Sequence, residues 1–188
     1  MSPFISIIIP FYGTADPVLL QRCLDSIRRQ GMEEGSYEII VVDDNGKGLG
    51  GARNQGIRQA TGTYLMFVDA DDYLFPNLSY CFPYLLKYTP DVCSFQMCEV
   101  NRPGVIPQSF NYKWEVYESG AEYMSKNNFM GTAWRHFFSR SFLNIHGLAF
   151  AESCFHEDED FVAKAYCLAS TTLITDYPVY AYFRSSSS

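Results

Sequence analysis

Thr63-Tyr64-Leu65-Met66-Phe67-Val68-Asp69-Ala70-Asp71-Asp72 runs from an unbroken apolar segment straight into three carboxylates. A short apolar run with no polar alternation is the pattern of a strand covered on both faces, as in a parallel sheet sandwiched by helices. The same form occurs twice upstream. Residues 5–9 are isoleucines but for Ser6 and stop at Pro10, and residues 37–42, apolar or aromatic but for Glu38, stop at Asp43-Asp44. Helical signals fill the gaps. Asp16 with Pro17 reads as an N-cap and first-turn proline, followed by Leu20, Cys23, Leu24 and Ile27 on one face; residues 50–60 read as a second helix, with Gly62 just beyond its end. Strands alternating with helices, each strand ending in polar chemistry, predict an α/β fold: an open, mostly parallel sheet flanked by helices, with ligands bound beyond the carboxyl ends of the strands.

The second half is less regular. Residues 77–88 are helix-prone around Pro83, residues 91–100 read as a strand and residues 102–108 as a proline-marked loop. Ser119 is placed to cap a short helix through Lys126, and residues 133–138 are apolar and aromatic. Residues 157–168 carry Phe161, Ala165 and Leu168 at helical spacing, and residues 171–175 and 179–183 read as two short strands before a serine tail. Nothing repeats internally. Residues 1–188 are read as one domain in two halves, 1–76 and 77–188.

Composition narrows the function. With 188 residues, 47% of them apolar and including 15 Phe, 14 Tyr and two Trp, the chain fills a single core without disulfide or metal staples. Its 21 acidic against 14 basic side chains leave a formal charge of -7, which disfavours partners gripped through phosphate backbones, so no nucleic acid is expected. No apolar run approaches the ~20 residues that span a bilayer, so membrane contact, if made, is peripheral. The opening apolar run lacks the basic segment and cleavage site of a signal peptide and reads as a strand. Cys23, Cys81, Cys93, Cys98, Cys154 and Cys167 form no Cys-x-x-Cys pair and have no His at zinc spacing; they read as reduced core residues of a cytoplasmic protein.

Four clusters can carry chemistry. Asp69-x-Asp71-Asp72 emerges from a buried strand, where two carboxylate oxygens can hold Mg2+ or Mn2+ bridging a diphosphate; a turn in which Asp caps the next helix is the competing reading. Asp43-Asp44 can accept from a base N–H or from ribose hydroxyls, or form an Asx turn before Asn45-Gly46. In His156-Glu157-Asp158-Glu159-Asp160, Glu157 or Asp160 can cap the helix while Asp158 projects into the cleft as a general base, walled by Phe155 and Phe161. Gly46-Lys47-Gly48-Leu49-Gly50-Gly51 contains G-x-G-x-x-G, the sign of a dinucleotide-binding oxidoreductase. It follows the second strand and begins only after Asp43-Asp44-Asn45, which favours a flexible turn feeding a helix on which Arg53 can meet a phosphate. His136 and His146 read as packed or surface residues.

Taken in order, Ser6-Ile-Ile-Ile-Pro-Phe-Tyr12, Glu38-Ile-Ile-Val-Val-Asp-Asp44, Gly48-Leu-Gly-Gly-Ala-Arg-Asn-Gln-Gly56, Phe67-Val-Asp-Ala-Asp-Asp72 and Glu157-Asp158 with Phe161 resemble family 2 glycosyltransferases of the GT-A fold. The stretch from Gly131 to Phe150, with Trp134 and Ser139-Arg140, is similar to that family's segment before the catalytic carboxylate. The resemblance implies inverting transfer of a sugar from a nucleotide diphosphate sugar, a UDP-sugar first, to a glycan or lipid-linked acceptor in surface polysaccharide or glycoconjugate synthesis. It implies Pro10 and Tyr12 against the nucleotide, Asp44 on the base, Arg53 facing base or phosphates, Asp69 near the ribose, and Asp71 with Asp69 on Mn2+ or Mg2+. Asp158 would be the base, with Trp134 and Glu157 on the acceptor or sugar side. It also implies work in the cytoplasm at the inner face of the membrane. The connection from Asp44 to Gly50 is shorter than the family's, so the sheet is expected to be one strand narrower, and no Gln-x-x-Arg-Trp string of processive members is present. A truncated member that binds a nucleotide sugar without transfer is the second reading and the dinucleotide oxidoreductase the third.

Overall fold

The computed structural model describes residues 2–11, 16–43, 46–102 and 112–184. Among these, eight strands form one sheet: β1 (Ile5–Phe11), β2 (Tyr37–Asp43), β3 (Tyr64–Phe67), β4 (Tyr73–Leu74), β5 (Val92–Val100), β6 (Trp114–Tyr117), β7 (His136–Ser139) and β8 (Thr172–Phe183). Their order is β2-β1-β3-β7-β5-β8-β4, with β6 also beside β8. β1 pairs in parallel with β2 and β3, and β5 with β8, while β7 lies antiparallel between β3 and β5. β1, β2, β3, β5 and β8 therefore share one direction, and the expected mostly parallel α/β sheet is present with opposed strands inserted at its middle and far edge. β2 is the other edge, and among the described residues no strand stands between it and the helix that follows.

Side-chain alternation in the strands builds a core on each face. On one side Ile5, Ile7 and Ile9 of β1 meet Tyr64, Met66 and Val68, covered by Cys23 and Ile27 of α1 (Pro17–Arg28) and Leu85 of α3 (Phe82–Tyr88). On the other, Ile8, Ile40, Val42, Leu65 and Phe67 meet Ala52 of α2 (Gly48–Gln59), Phe142 and Leu143 of α5 (Arg140–Ile145), and Phe161, Val162 and Ala165 of α6 (Glu157–Leu168). The four β1 isoleucines at positions 5, 7, 8 and 9 are fully buried, each contributing about 1.5–3 kcal/mol of apolar transfer.

Local signals set the helix starts. The Asp16 carboxylate accepts the Val18 N–H at 2.8 Å, and the Ser119 hydroxyl accepts the Glu122 N–H at 3.0 Å to open α4 (Gly120–Lys126). The glycines of α2 are packing glycines. A Cβ on Gly56 would run into the Ile8 side chain, and one on Gly50 into the Ala151 carbonyl, so they let the helix lie close against β1 and against residues 150–151.

Several sequence expectations need correction. Residues 171–175 and 179–183 are one strand, β8, which continues through Pro178 with a register shift where Gln96 faces that proline. Residues 77–88 divide into a 3₁₀ turn, Leu78–Cys81, and α3. β4, β6 and α5 were not anticipated, and most of the 102–108 loop lies outside the described residues. Cys23, Cys81 and Cys93 are core residues, but Cys154 and Cys167 are exposed. Phe161 stacks on Phe150 in the core at 3.8 Å, whereas Phe155 is 94% exposed, so the two are not one wall.

Candidate active site

The parallel register aligns the carboxyl ends of the first three strands. Pro10 is buried opposite Val42 and Phe11 stands opposite Asp43, while the Val68 N–H donates to the Ile8 carbonyl at 2.9 Å, delivering Asp69 to the same edge. Tyr12 and Asp44 lie outside the described residues.

Arg53, on the buried face of α2, is the hub of this edge. Its side chain is 2% exposed; Nη2 donates to Asp69 Oδ1 at 3.0 Å, and Nη1 donates to Glu157 Oε1 at 2.8 Å and to Asp158 Oδ1. The guanidinium also lies 5.4 Å from the Phe150 ring. A cation so buried is tolerable only when paired and hydrogen-bonded. Burial alone would lower its pKa, and Asp69, Asp158 and Glu157 more than reverse that. Both terminal nitrogens of Arg53 thus face carboxylates while its buried Nε makes no hydrogen bond among the described residues, and Glu157, expected on the acceptor side, is buried against Arg53.

Asp158 sits in the first turn of α6, its side chain 17% exposed. Oδ1 is held by Arg53, and Oδ2 accepts the Ala133 N–H at 2.9 Å. Burial raises its pKa to about 6, with Arg53 and the Ala133 N–H pulling down and Asp69 and Glu157 pushing up. Such a carboxylate is ionised at neutral pH yet more basic than an ordinary aspartate, which suits a general base. Trp134, next to Ala133, is buried and stacks on Tyr180 at 4.6 Å and on Tyr182 at 5.7 Å.

Asp71 is exposed beyond β3, and its pKa is raised by burial of the carboxyl and by Asp69. The Arg22 guanidinium donates to the Asp71 main-chain carbonyl. Asp72 faces the opposite way: it is 2% exposed and takes Tyr180 Oη–H at 2.7 Å and the Phe183 N–H at 2.7 Å. Burial lifts its pKa to about 7 against those two hydrogen bonds. Among the described residues no group of three or more Asp, Glu, His or Cys side chains forms a metal cage. Asp71, exposed and close enough to Asp69 for that carboxylate to raise its pKa, could with Asp69 hold Mg2+ or Mn2+, hard cations often bound by one or two carboxylates plus substrate phosphate oxygens.

With this geometry in place, comparison with known proteins decides the family. The model for Glycosyl transferase family 2 matches residues 6–47 and 44–143. The chain belongs to glycosyl transferase family 2. It is 26% identical over 216 residues to the putative glycosyltransferase EpsH of Bacillus subtilis (strain 168), covering 96% of this chain and 61% of that protein. It is 29% identical over 220 residues to the uncharacterized glycosyltransferase EpsJ of the same strain, covering 97% and 61%. Its fold is similar to S. aureus TarS 1-349 in complex with UDP-GlcNAc, with a TM-score of 0.79, 24% identity and coverage of 98% of this chain and 59% of that one. It is also similar to the mannosyltransferase PcManGT from Pyrobaculum calidifontis in complex with GDP-Man and Mn2+, with a TM-score of 0.65, 18% identity and coverage of 98% and 57%. The chain spans about three-fifths of the length of these relatives.

In this member of family 2 the two matched pieces meet at the short connection between β2 and α2. The glycosyltransferase family displaces the oxidoreductase reading, and local backbone needs account for the glycine-rich run: Gly46 and Gly48 have positive φ, and a Cβ on Gly50 or Gly51 would run into the Ala151 carbonyl or the Lys47 side chain. Sequence reasoning missed Arg22, Ala133, Phe150 and Tyr180. The last had a signal: Tyr180-Ala181-Tyr182 spaces two rings by two residues, the pattern of a strand presenting them to one side.

Proposed function

We propose that the chain is the donor-binding and catalytic part of an inverting, non-processive glycosyltransferase that moves a sugar from a nucleotide diphosphate sugar, a UDP-sugar first, to an acceptor hydroxyl. The observation that carries this reading is the Arg53 hub, which ties Asp69 at the end of β3 to Glu157 and Asp158 at the start of α6. It brings the raised-pKa Asp158 and Asp69, one of the two carboxylates assigned to the cation, to one edge of the sheet, which supports displacement at an anomeric carbon. The TarS fold carrying UDP-GlcNAc supports the choice of donor class.

In this mechanism Arg53 and the Ala133 N–H hold Asp158 in one orientation. Asp158 takes the proton of the acceptor hydroxyl as that oxygen bonds to the anomeric carbon, while the bond from the carbon to the diphosphate oxygen breaks on the opposite side, inverting the centre. The diphosphate departs toward Asp69 and Asp71. A Mn2+ or Mg2+ ion bound by Asp71 with Asp69 would neutralise the charge gathering on it. Pro10, Tyr12 and Asp44 are assigned to the nucleotide, and Trp134 to the wall of the sugar side.

The test measures UDP release from UDP-GlcNAc and UDP-glucose with a glycan acceptor panel, alongside UDP binding. Wild type should release UDP and bind it in Mn2+. Asp158→Asn should keep binding and lose release, and Asp71→Ala should lose the Mn2+-dependent part of binding. Metal-dependent binding with no release from any donor by wild type would leave the chain a nucleotide-sugar binder.

A further inference from the structure

The turn at residues 69–72 follows a strand of only four residues and closes on itself through one main-chain bond, Asp72 N–H to the Asp69 carbonyl at 3.1 Å. Its remaining anchors come from elsewhere. Tyr180 Oη accepts the Asp69 N–H at 3.1 Å and donates to Asp72 Oδ2 at 2.7 Å, so one hydroxyl bridges the two ends of the turn. Asp72 Oδ1 accepts the Phe183 N–H at 2.7 Å, three residues further along the same strand. Arg22 holds the Asp71 carbonyl and lies 3.9 Å over the Phe183 ring. The turn so fastened leaves Asp71 exposed and aims Asp69 at Arg53. The Tyr180 ring is fully buried and stacks on Trp134, whose neighbour Ala133 donates to Asp158. One side chain of β8 therefore touches both the candidate cation turn and the segment that holds the candidate base.

We propose that Tyr180 is a positioning residue for the donor site: its hydroxyl, with Asp72 as acceptor, sets the geometry in which Asp69 and Asp71 take the cation and diphosphate. This rests on the donor-site reading above. The aromatic ring alone fills the core and carries the Trp134 stack, and phenylalanine would do both. Only the hydroxyl fixes the turn. Loss of a group that orients metal ligands costs about 10–100-fold in metal affinity. Asp72→Asn tests the same bond from the other side: its carboxamide oxygen still accepts from Phe183, but its NH2 then donates to Tyr180 Oη, leaving the phenol proton without its acceptor.

The experiment is UDP titration calorimetry on wild type, Tyr180→Phe and Asp72→Asn, each in MnCl2 and in EDTA, with melting temperatures measured in parallel. Tyr180→Phe should weaken binding in Mn2+ by about 10–100-fold, leave binding in EDTA within a few-fold of wild type, and so shrink the ratio between the two conditions. Asp72→Asn should shrink it in the same direction and serves if the first variant does not fold. A lowered melting temperature with an unchanged ratio would make the hydroxyl purely structural and overturn the proposal alone. Equal wild-type affinity in Mn2+ and EDTA would overturn the donor-site reading and this proposal with it.

Discussion

Glu38 and Asp158 stand at opposite ends of the sheet, and their surroundings differ in one respect that decides their uses. At the amino ends of the strands, Glu38 Oε1 accepts from Ser6 Oγ at 2.6 Å, Thr61 N–H at 2.7 Å, Thr61 Oγ1 at 2.9 Å and Gly62 N–H at 3.2 Å. Burial opposes its charge, and these donors overcome it, so its pKa falls. At the carboxyl ends, Asp69, Glu157 and Asp158 share one guanidinium, and the pKa of Asp158 rises to about 6. The first carboxylate is surrounded by neutral donors and ties β2 to β1 and to the segment that leads into β3. The second group is short of positive charge, which makes it a place to receive a proton or a cation.

The largest effect expected from breaking this contrast is on turnover. Asp158→Asn keeps the shape and the Ala133 hydrogen bond but cannot take a proton, and should lower the transfer rate by about 10²- to 10⁴-fold with donor affinity nearly unchanged. Unchanged turnover on a productive acceptor would move the base to a neighbour. Arg53→Met acts on stability. Removing the cation leaves buried carboxylates unpaired, and urea unfolding should report a loss of about 3–5 kcal/mol. A loss below 1 kcal/mol would mean that water already screens the cluster. Glu38→Gln should cost less, about 1–2 kcal/mol, since neutral donors keep a neutral acceptor, and UDP affinity should not move.

The legibility of the two ends in sequence follows the range of the contacts. β1, β2 and α1 are readable because a cap, a proline or an apolar run announces each within a few residues, and α6 because Phe161, Ala165 and Leu168 recur at helical spacing, although neither Glu157 nor Asp160 caps it: His156 is the N-cap and makes no side-chain cap bond. The Glu157-Asp158 pair was readable as a carboxylate cluster for the same reason. The partners that give the cluster its character were not: Arg53 meets Asp158 across 105 residues and Tyr180 meets Asp72 across 108. The sequence reads β8 as two short strands, 171–175 and 179–183, with Pro178, which lacks an N–H, between them. The strand tolerates it where the register with β5 shifts. β4, two residues long, exists through its pairing with β8 and carries no pattern of its own.

The last contrast is in pH dependence, with opposite signs at the two ends. Asp158 in the folded chain holds its proton up to about pH 6, whereas the unfolded chain releases it near the ordinary value of 3.8. The native state therefore binds more protons between these values, and stability falls as pH rises through that window. Asp158→Asn removes this term, so the urea midpoint of the variant minus that of wild type should increase from pH 4 to 6 and then level off. Glu38 behaves in reverse. Its contribution is complete above the unfolded value near 4.5 and fades as pH falls below it, so the cost of Glu38→Gln should shrink in acid. A flat midpoint difference for Asp158→Asn across pH 4–6 would contradict the raised pKa.

The division of labour between the two ends is tested most directly by the melting temperature of wild type, Glu38→Gln and Asp71→Ala, each with and without UDP and MnCl2 together. A ligand that binds only the native state raises its melting temperature. Wild type and Glu38→Gln should rise by the same amount, the latter from a lower starting point, while Asp71→Ala should show little or no rise. An equal rise in all three, or a rise lost in Glu38→Gln and kept in Asp71→Ala, would contradict the account.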